Sequence, residues 1–346
     1  MLLFRLSIFA LLWSSGVIPA ALQAVGDPFL FFSPALVITP AERQHLDRGQ
    51  VLVRVLPGQE REITVFCAAA FDRGGEALVQ GVRRIEELKR GPYVLAIGRF
   101  SDPPRIGDLA GLALDEEDLQ SIRNCRLSDC AVKLSGSEMG QLRRAAVPGT
   151  NAKNSLQDAF RSLVLERVSA YKARGHEGIP AYQDTRTPVD LKIEFSGIVR
   201  NSPYLVERMP QFAAYLEGYP RIQAPVPESF FYWSKEKIGR KPVISVTHVS
   251  IIRGENRADL PEVLVAGKQV FATHYMNGAL ALTAVVGGRD GAPRYLVYLN
   301  RSRVDMLGGL LGWIKRSIVE GRLESETEKI FQALRDRLRG FGAGAK

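Results

Sequence analysis

Apolar and polar positions alternate in a pattern that changes twice along the chain. Val51, Val53 and Val55 alternate with Leu52 and Arg54, and Pro57-Gly58 follows as a turn. Ile63, Val65, Cys67 and Ala69 then share one side of a second predicted strand. Leu78, Val82 and Ile85 recur at helical spacing, which predicts an amphipathic helix over Gly75–Lys89, stopped by Gly91-Pro92. Tyr93–Phe100 reads as a further strand, closed by Asp102-Pro103-Pro104. Residues 25–49 read as irregular, with one short helix near Ala41–Leu46.

The centre has helical spacing. Leu114–Asn124 is acidic at its start, which suits the positive end of a helix dipole. Ser155 to about Arg174 carries Leu156, Phe160, Leu163, Val164, Val168 and Tyr171 on one side. Gly175–Thr187 reads as a loop, and helices follow over Leu191–Val199 and Tyr204–Leu216. Pro203, Pro210 and Pro220 make these short or bent, because proline removes a backbone donor.

After Pro225-Val226-Pro227 the chemistry becomes that of strands: Phe230–Lys237, Val243–Arg253, Glu262–Ala266, Val270–Met276, Ala279–Val286 and Arg294–Asn300. Gly239, Gly254, Gly267 and Gly287-Gly288 punctuate them, as in an antiparallel meander. Asn277-Gly278 fits either a hairpin turn or a bulge in one long strand. A last helix carries Leu307, Leu310, Leu311, Ile314 and Ile318; Gly321 interrupts it, and Ser325-Glu326-Thr327-Glu328 has the spacing to restart it. The expected fold class is α+β, with a curved antiparallel sheet around a long C-terminal helix and a helical insertion.

The order of strands, helix, antiparallel strands and long last helix resembles the helix-grip fold of the START and polyketide-cyclase superfamily. The resemblance covers residues 62–100 and 226–338, with 101–225 as a mainly helical insertion inside a single domain over 25–346. It implies a cavity for a lipid, sterol or other apolar ligand, and does not imply a reaction.

The N-terminal stretch adds a location. Arg5 precedes an uncharged apolar run from Leu6 to Pro19, and Ala20, Ala21 and Ala24 follow. This is the order of a signal peptide over residues 1–24, and it points to a periplasmic or secreted protein. A retained membrane anchor is the alternative, although the run is shorter than the roughly 20 apolar residues that span a bilayer. The formal charge of +9 leaves an anionic membrane surface as a possible partner. Scattered basic residues without interleaved aromatics argue against nucleic acid. Export permits disulfides, and Cys125 and Cys130 would close a small loop, while Cys67 reads as core.

No cofactor or metal site is expected. HExxH, GxSxG, GxxxxGK[ST] and GxGxxG after a strand do not occur. Asp115-Glu116-Glu117 fits a helix start better than a glycosidase pair. Of four histidines, His45 and His176 read as surface residues. His248 shares a strand side with Ile244, Val246 and Ile252, and His274 shares one with Val270, Ala272 and Met276. If those strands pair, both could line one cavity as polar hooks or as a base. Tyr232, Trp233, Tyr275, Tyr295 and Tyr298 could add aromatic surface with polar tips, or serve sheet packing alone. Arg303, read as opening the last helix, could meet an anionic head group. Gly309, Gly312 and Trp313 lie in a glycine-rich helix start that fits tight packing, a ligand or a membrane contact. The function expected is binding of a lipid-like molecule in an internal cavity. The alternatives are an envelope enzyme with a histidine acid or base, and a structural protein with a filled core.

Overall fold

A computed structural model describes residues 26–56, 58, 61–146, 152–224, 226–254, 257–288, 292–305 and 312–341, with backbone alone for 152 and 312–325. The protein is α+β. Eight strands form one open antiparallel sheet: β1 (Val51–Leu56), β2 (Glu62–Ala70), β3 (Val94–Arg99), β4 (Glu228–Ile238), β5 (Lys241–Arg253), β6 (Val263–Ala272), β7 (Met276–Gly287) and β8 (Arg294–Val304). Their order is β1-β2-β8-β7-β6-β5-β4-β3. The meander from β4 to β8 is the sheet's centre, and the N-terminal strands extend both of its ends.

Helices cover both sheet faces, so the strands read as nearly continuous apolar runs. On one face lie α2 (Gly75–Arg83), α3 (Ile85–Leu88) and α10 (Gly312–Gly340). Leu78, Val82, Phe331 and Leu338 pack there on Val65, Val263, Val285 and Leu296. The other face carries α4 (Glu116–Asn124), α5 (Gly136–Ala145), α6 (Ala152–Arg174), α7 (Leu191–Arg200), α8 (Pro203–Arg208) and α9 (Pro210–Gly218). Alternation along each strand sends one side chain to each layer. Phe231, Trp233, Ile244, Val246 and Phe271 therefore meet Leu119, Phe160 and Val164. Each such large side chain contributes about 1.5–3 kcal/mol by leaving water. The short helix α1 (Pro40–Asp47) is capped by Thr39 and Glu42 in a reciprocal box and lies beside β1.

Several expectations are corrected. The predicted helix Gly75–Lys89 is broken at Arg84, whose φ −102° and ψ 48° are not helical. The predicted Tyr204–Leu216 helix is divided at Met209, just before Pro210. Gly267 does not make a turn. Residues 263–272 form one strand, because both Gly267 and Lys268 take part in the ladders with β5 and β7. The reversal after β6 occurs at 273–275, where Tyr275 has φ 61°. His274 therefore stands in a turn and not in a strand. The Asn277-Gly278 pair marks a bulge at the start of β7, between Met276 and Gly278. Arg303 belongs to β8 and does not open the last helix. That helix runs from Gly312 to Gly340 without a break at Gly321. Helix α5 was not anticipated, although Ser135 and Glu138 form its capping box and Ser-x-x-Glu was legible. The signal-peptide residues and Gly309 lie outside the described residues.

Candidate functional site

Lys268 is fully buried at the centre of the sheet. It alternates with Leu264 and Ala266 on the side that meets the helical layer of α4–α9. Its Nζ donates to the carbonyl of Leu216 in the last turn of α9. That carbonyl is one of the acceptors a helix end leaves without an intrahelical partner. The amine also lies 4.1 Å from the Phe195 ring centroid and 5.3 Å from that of Tyr171. Among the described residues, no carboxylate is within ion-pair distance of it.

Two histidines stand beside this lysine. His248 is its register partner across β5 and β6. The imidazole stacks on Phe231 at 4.4 Å and 12°, with Tyr219 at 4.5 Å. Its Nδ1 is 3.5 Å from the Tyr171 hydroxyl, and its Nε2 has no hydrogen-bond partner among the described residues. His176 lies in a 3-10 turn after α6 and is 9% exposed, so the expectation of a surface residue is corrected. Its ring lies 5.5 Å from Phe195 and 5.9 Å from Tyr171, and neither nitrogen has a hydrogen-bond partner among the described residues.

Burial controls the electrostatics, because a charge is disfavoured away from water. It pushes Lys268 well below the usual lysine range, with Glu217 opposing weakly. Burial also lowers His248 to about 3 and His176 to about 2, and the charge of Lys268 is a secondary cause in each case. Burial raises Tyr171 well above the usual phenol. The site therefore gathers a desolvated lysine and two neutral imidazoles in an aromatic enclosure, a setting for acid–base or nucleophilic chemistry and for holding a polar head group.

His274 belongs to a second, differently built cluster. Its Nδ1 is 2.9 Å from the Ala131 carbonyl and its Nε2 is 3.0 Å from Asp118 Oδ2. Both nitrogens thus face acceptors, and Lys241 approaches Asp118 at 3.6 Å. Nearby, the buried Lys133 donates to Asn277 Oδ1 at 2.8 Å and pairs with Asp305 at 2.5 Å and Asp184 at 3.7 Å. The disulfide Cys125–Cys130 precedes this segment, and Lys133 N donates to the Thr273 carbonyl. These bonds tie the disulfide loop to the turn between β6 and β7. The two histidines expected to share a cavity have no common hydrogen-bond partner or ring neighbour.

The remaining candidates are dispersed. Tyr232 faces the α10 side near Lys89. The Tyr275 hydroxyl accepts from Lys241 N at 3.0 Å. Trp233 donates to the Asp108 carbonyl at 2.8 Å. Tyr295 donates to Asp47, and the Tyr298 hydroxyl is raised by burial. Arg303 pairs with Glu194 of α7 at 3.2 Å. His45 is half-buried, with Nε2 3.0 Å from the Val51 carbonyl. Gly312 and Trp313 fall in α10, where the backbone alone is described. A surface hollow lined by Arg83, Arg84, Ile85, Glu86, Glu87 and Arg99 is far from the buried bases in the fold, on α2, α3 and β3. Lys268 and His176 escaped the sequence reading. The signal that could have found Lys268 is a lone lysine inside the apolar run Val263–Ala272. Among the described residues, no group of His, Cys, Asp and Glu is arranged to hold a metal ion. No model of a known protein family, no curated protein and no solved structure matches this chain.

Proposed function

We propose that this is an exported protein that binds an amphipathic, lipid-like molecule between its sheet and the helical layer of α4–α9. The ligand's polar head meets Lys268, His248 and His176, and its chain lies among the aromatic side chains around them. One observation carries the reading. Among the described residues, a fully buried lysine with a single carbonyl acceptor sits beside His248 Nε2 and both His176 nitrogens, none of which has a hydrogen-bond partner. Buried polar groups are nearly always satisfied, and exceptions concentrate where a ligand or chemistry is served. Tyr219 is the half-buried member of the aromatic group and ends α9, so movement of that end opens the way to His248.

The helix-grip likeness belongs to this proposal: a large antiparallel sheet set against a long last helix, with apolar ligands as the common theme of that superfamily. Export is supported by the Arg5, apolar and small-residue order of the N-terminus.

The test is native mass spectrometry of protein purified from an envelope or secreted fraction, followed by calorimetric titration with decanol and decanoate. A co-purifying amphipathic molecule, and binding weakened about tenfold by Lys268→Met, is the expected result; tenfold corresponds to about 1.4 kcal/mol. Absence of any co-purifying molecule together with no heat of binding for either probe overturns the reading. N-terminal sequencing of the same material should begin near Val25.

A further inference from the structure

We propose that Lys268 is a covalent attachment site, whose amine condenses reversibly with the carbonyl carbon of an apolar aldehyde to form an imine. This rests on the binding reading above and deepens it by naming the ligand's reacting group. The geometry separates Lys268 from the other deeply buried lysine, Lys133. Lys133 is held by Asp305, Asp184 and Asn277, so its ammonium is neutralised and its donors are engaged. Among the described residues, Lys268 has the Leu216 carbonyl as its hydrogen-bond partner and no competing ion pair. An amine desolvated among apolar side chains is the usual way a lysine becomes a nucleophile near neutral pH.

The groups that face Lys268 come from each element packed on it. Tyr171 is contributed by α6, His176 by the turn after it, Phe195 by α7, Leu216 and Glu217 by α9, and His248 by β5. Only Glu217 is an acid, and its influence on the amine is secondary to burial. The lowered proton affinity of Lys268 agrees with the geometry.

The step balances without an external oxidant or reductant. The nitrogen lone pair attacks the carbonyl carbon, and the C=O π pair moves to oxygen. The two amine protons end on that oxygen, which departs as water while the C=N bond forms. His248 is the proton relay: its Nε2 has no partner among the described residues, and its strand position places it directly opposite Lys268. Aromatic walls keep bulk water from the imine, which slows hydrolysis.

The experiment incubates the purified full chain with decanal and cyanoborohydride at pH 6 and pH 8, then maps labelled lysines by peptide mass spectrometry. Non-covalent binding of decanol to the same wild-type protein is measured in parallel. At pH 6, exposed lysines are protonated, with ordinary values near 10.4, and Lys268 should be labelled at least about tenfold faster than Lys133 or any surface lysine. That selectivity should fall toward pH 8. His248→Gln should slow labelling of Lys268 and change its pH profile without moving the label elsewhere. Labels spread over surface lysines with Lys268 unmodified overturn the covalent proposal. If decanol still binds in that case, the binding reading stands and the imine alone fails. If neither binds, both fail. The wild-type peptide map decides the question even if a variant does not fold.

Discussion

His248 on β5 and Lys268 on β6 are direct partners across an antiparallel ladder, with both side chains turned into the layer of α4–α9. Two basic groups opposite one another inside a protein are unfavourable when charged. Burial resolves the conflict by lowering the proton affinity of both. The pair thereby becomes chemically available instead of electrostatically locked.

The pair makes stability depend on pH. His248 falls from an ordinary 6.5 to about 3 in the folded protein, so the unfolded chain binds the extra proton between those values. The contribution of this group alone is therefore full above pH 6.5 and declines as pH falls, by about 1.4 kcal/mol per unit. Urea unfolding between pH 7 and pH 4 checks this. His248→Gln should flatten the slope; an unchanged slope would remove His248 as its source.

Lys268 acts with the same sign at higher pH. Its folded value lies well below the ordinary one, so the unfolded chain holds more protons between the two. The resulting cost to stability is present at pH 7 and shrinks as pH rises toward about 10.4. Lys268→Met should raise the urea midpoint at pH 7, and the gain should diminish by pH 10. A loss of stability at pH 7 would mean that the Leu216 carbonyl bond outweighs the buried amine.

Glu138 and Arg167 join α5 to α6 through two hydrogen bonds of 2.6 Å, both side chains being buried. The guanidinium also lies 4.8 Å from the Phe271 centroid and 5.3 Å from that of Tyr182. Glu138→Ala leaves a buried cation without its partner, at a cost of about 3–5 kcal/mol. Glu138→Ala with Arg167→Met should recover much of this in urea unfolding. A double variant as unstable as the single one would contradict the argument.

Gly98 on β3 lies under the Trp233 indole, and a Cβ there would stand 2.7 Å from Nε1. Gly98→Ala must push the indole off the Asp108 carbonyl. About 1–3 kcal/mol of destabilisation is expected, with an altered near-ultraviolet tryptophan signal. Retention of both stability and signal would show that the ring is not fixed there.

The Cys125–Cys130 bridge closes a small loop, so its removal should cost about 2 kcal/mol, the low end for disulfides. Cys125→Ala with Cys130→Ala should also loosen the segment carrying Ala131 and Lys133, seen as faster amide exchange at Lys133 and Thr273. Quantitative thiol labelling of both cysteines in native, oxidised protein would remove the bridge.

Local pattern determined most of the elements. Alternation placed β1, β2 and β5, and helical spacing placed α6 and α7, because each records which side of one segment meets the core. His248 was correctly assigned to the side of Ile244 and Val246 for the same reason. Asn277-Gly278 fitted a turn or a bulge, and Gly267 read as a turn where the strand runs on, since a glycine permits either and only pairing with a neighbour decides. The site itself required tertiary structure. Tyr171 and His176, at the end of α6, are far in sequence from His248 and Lys268 and meet them only because the helical layer folds over β5 and β6. A lysine's proton affinity depends on the water removed by residues elsewhere in the chain, so no local pattern around Lys268 could reveal how far its amine is desolvated.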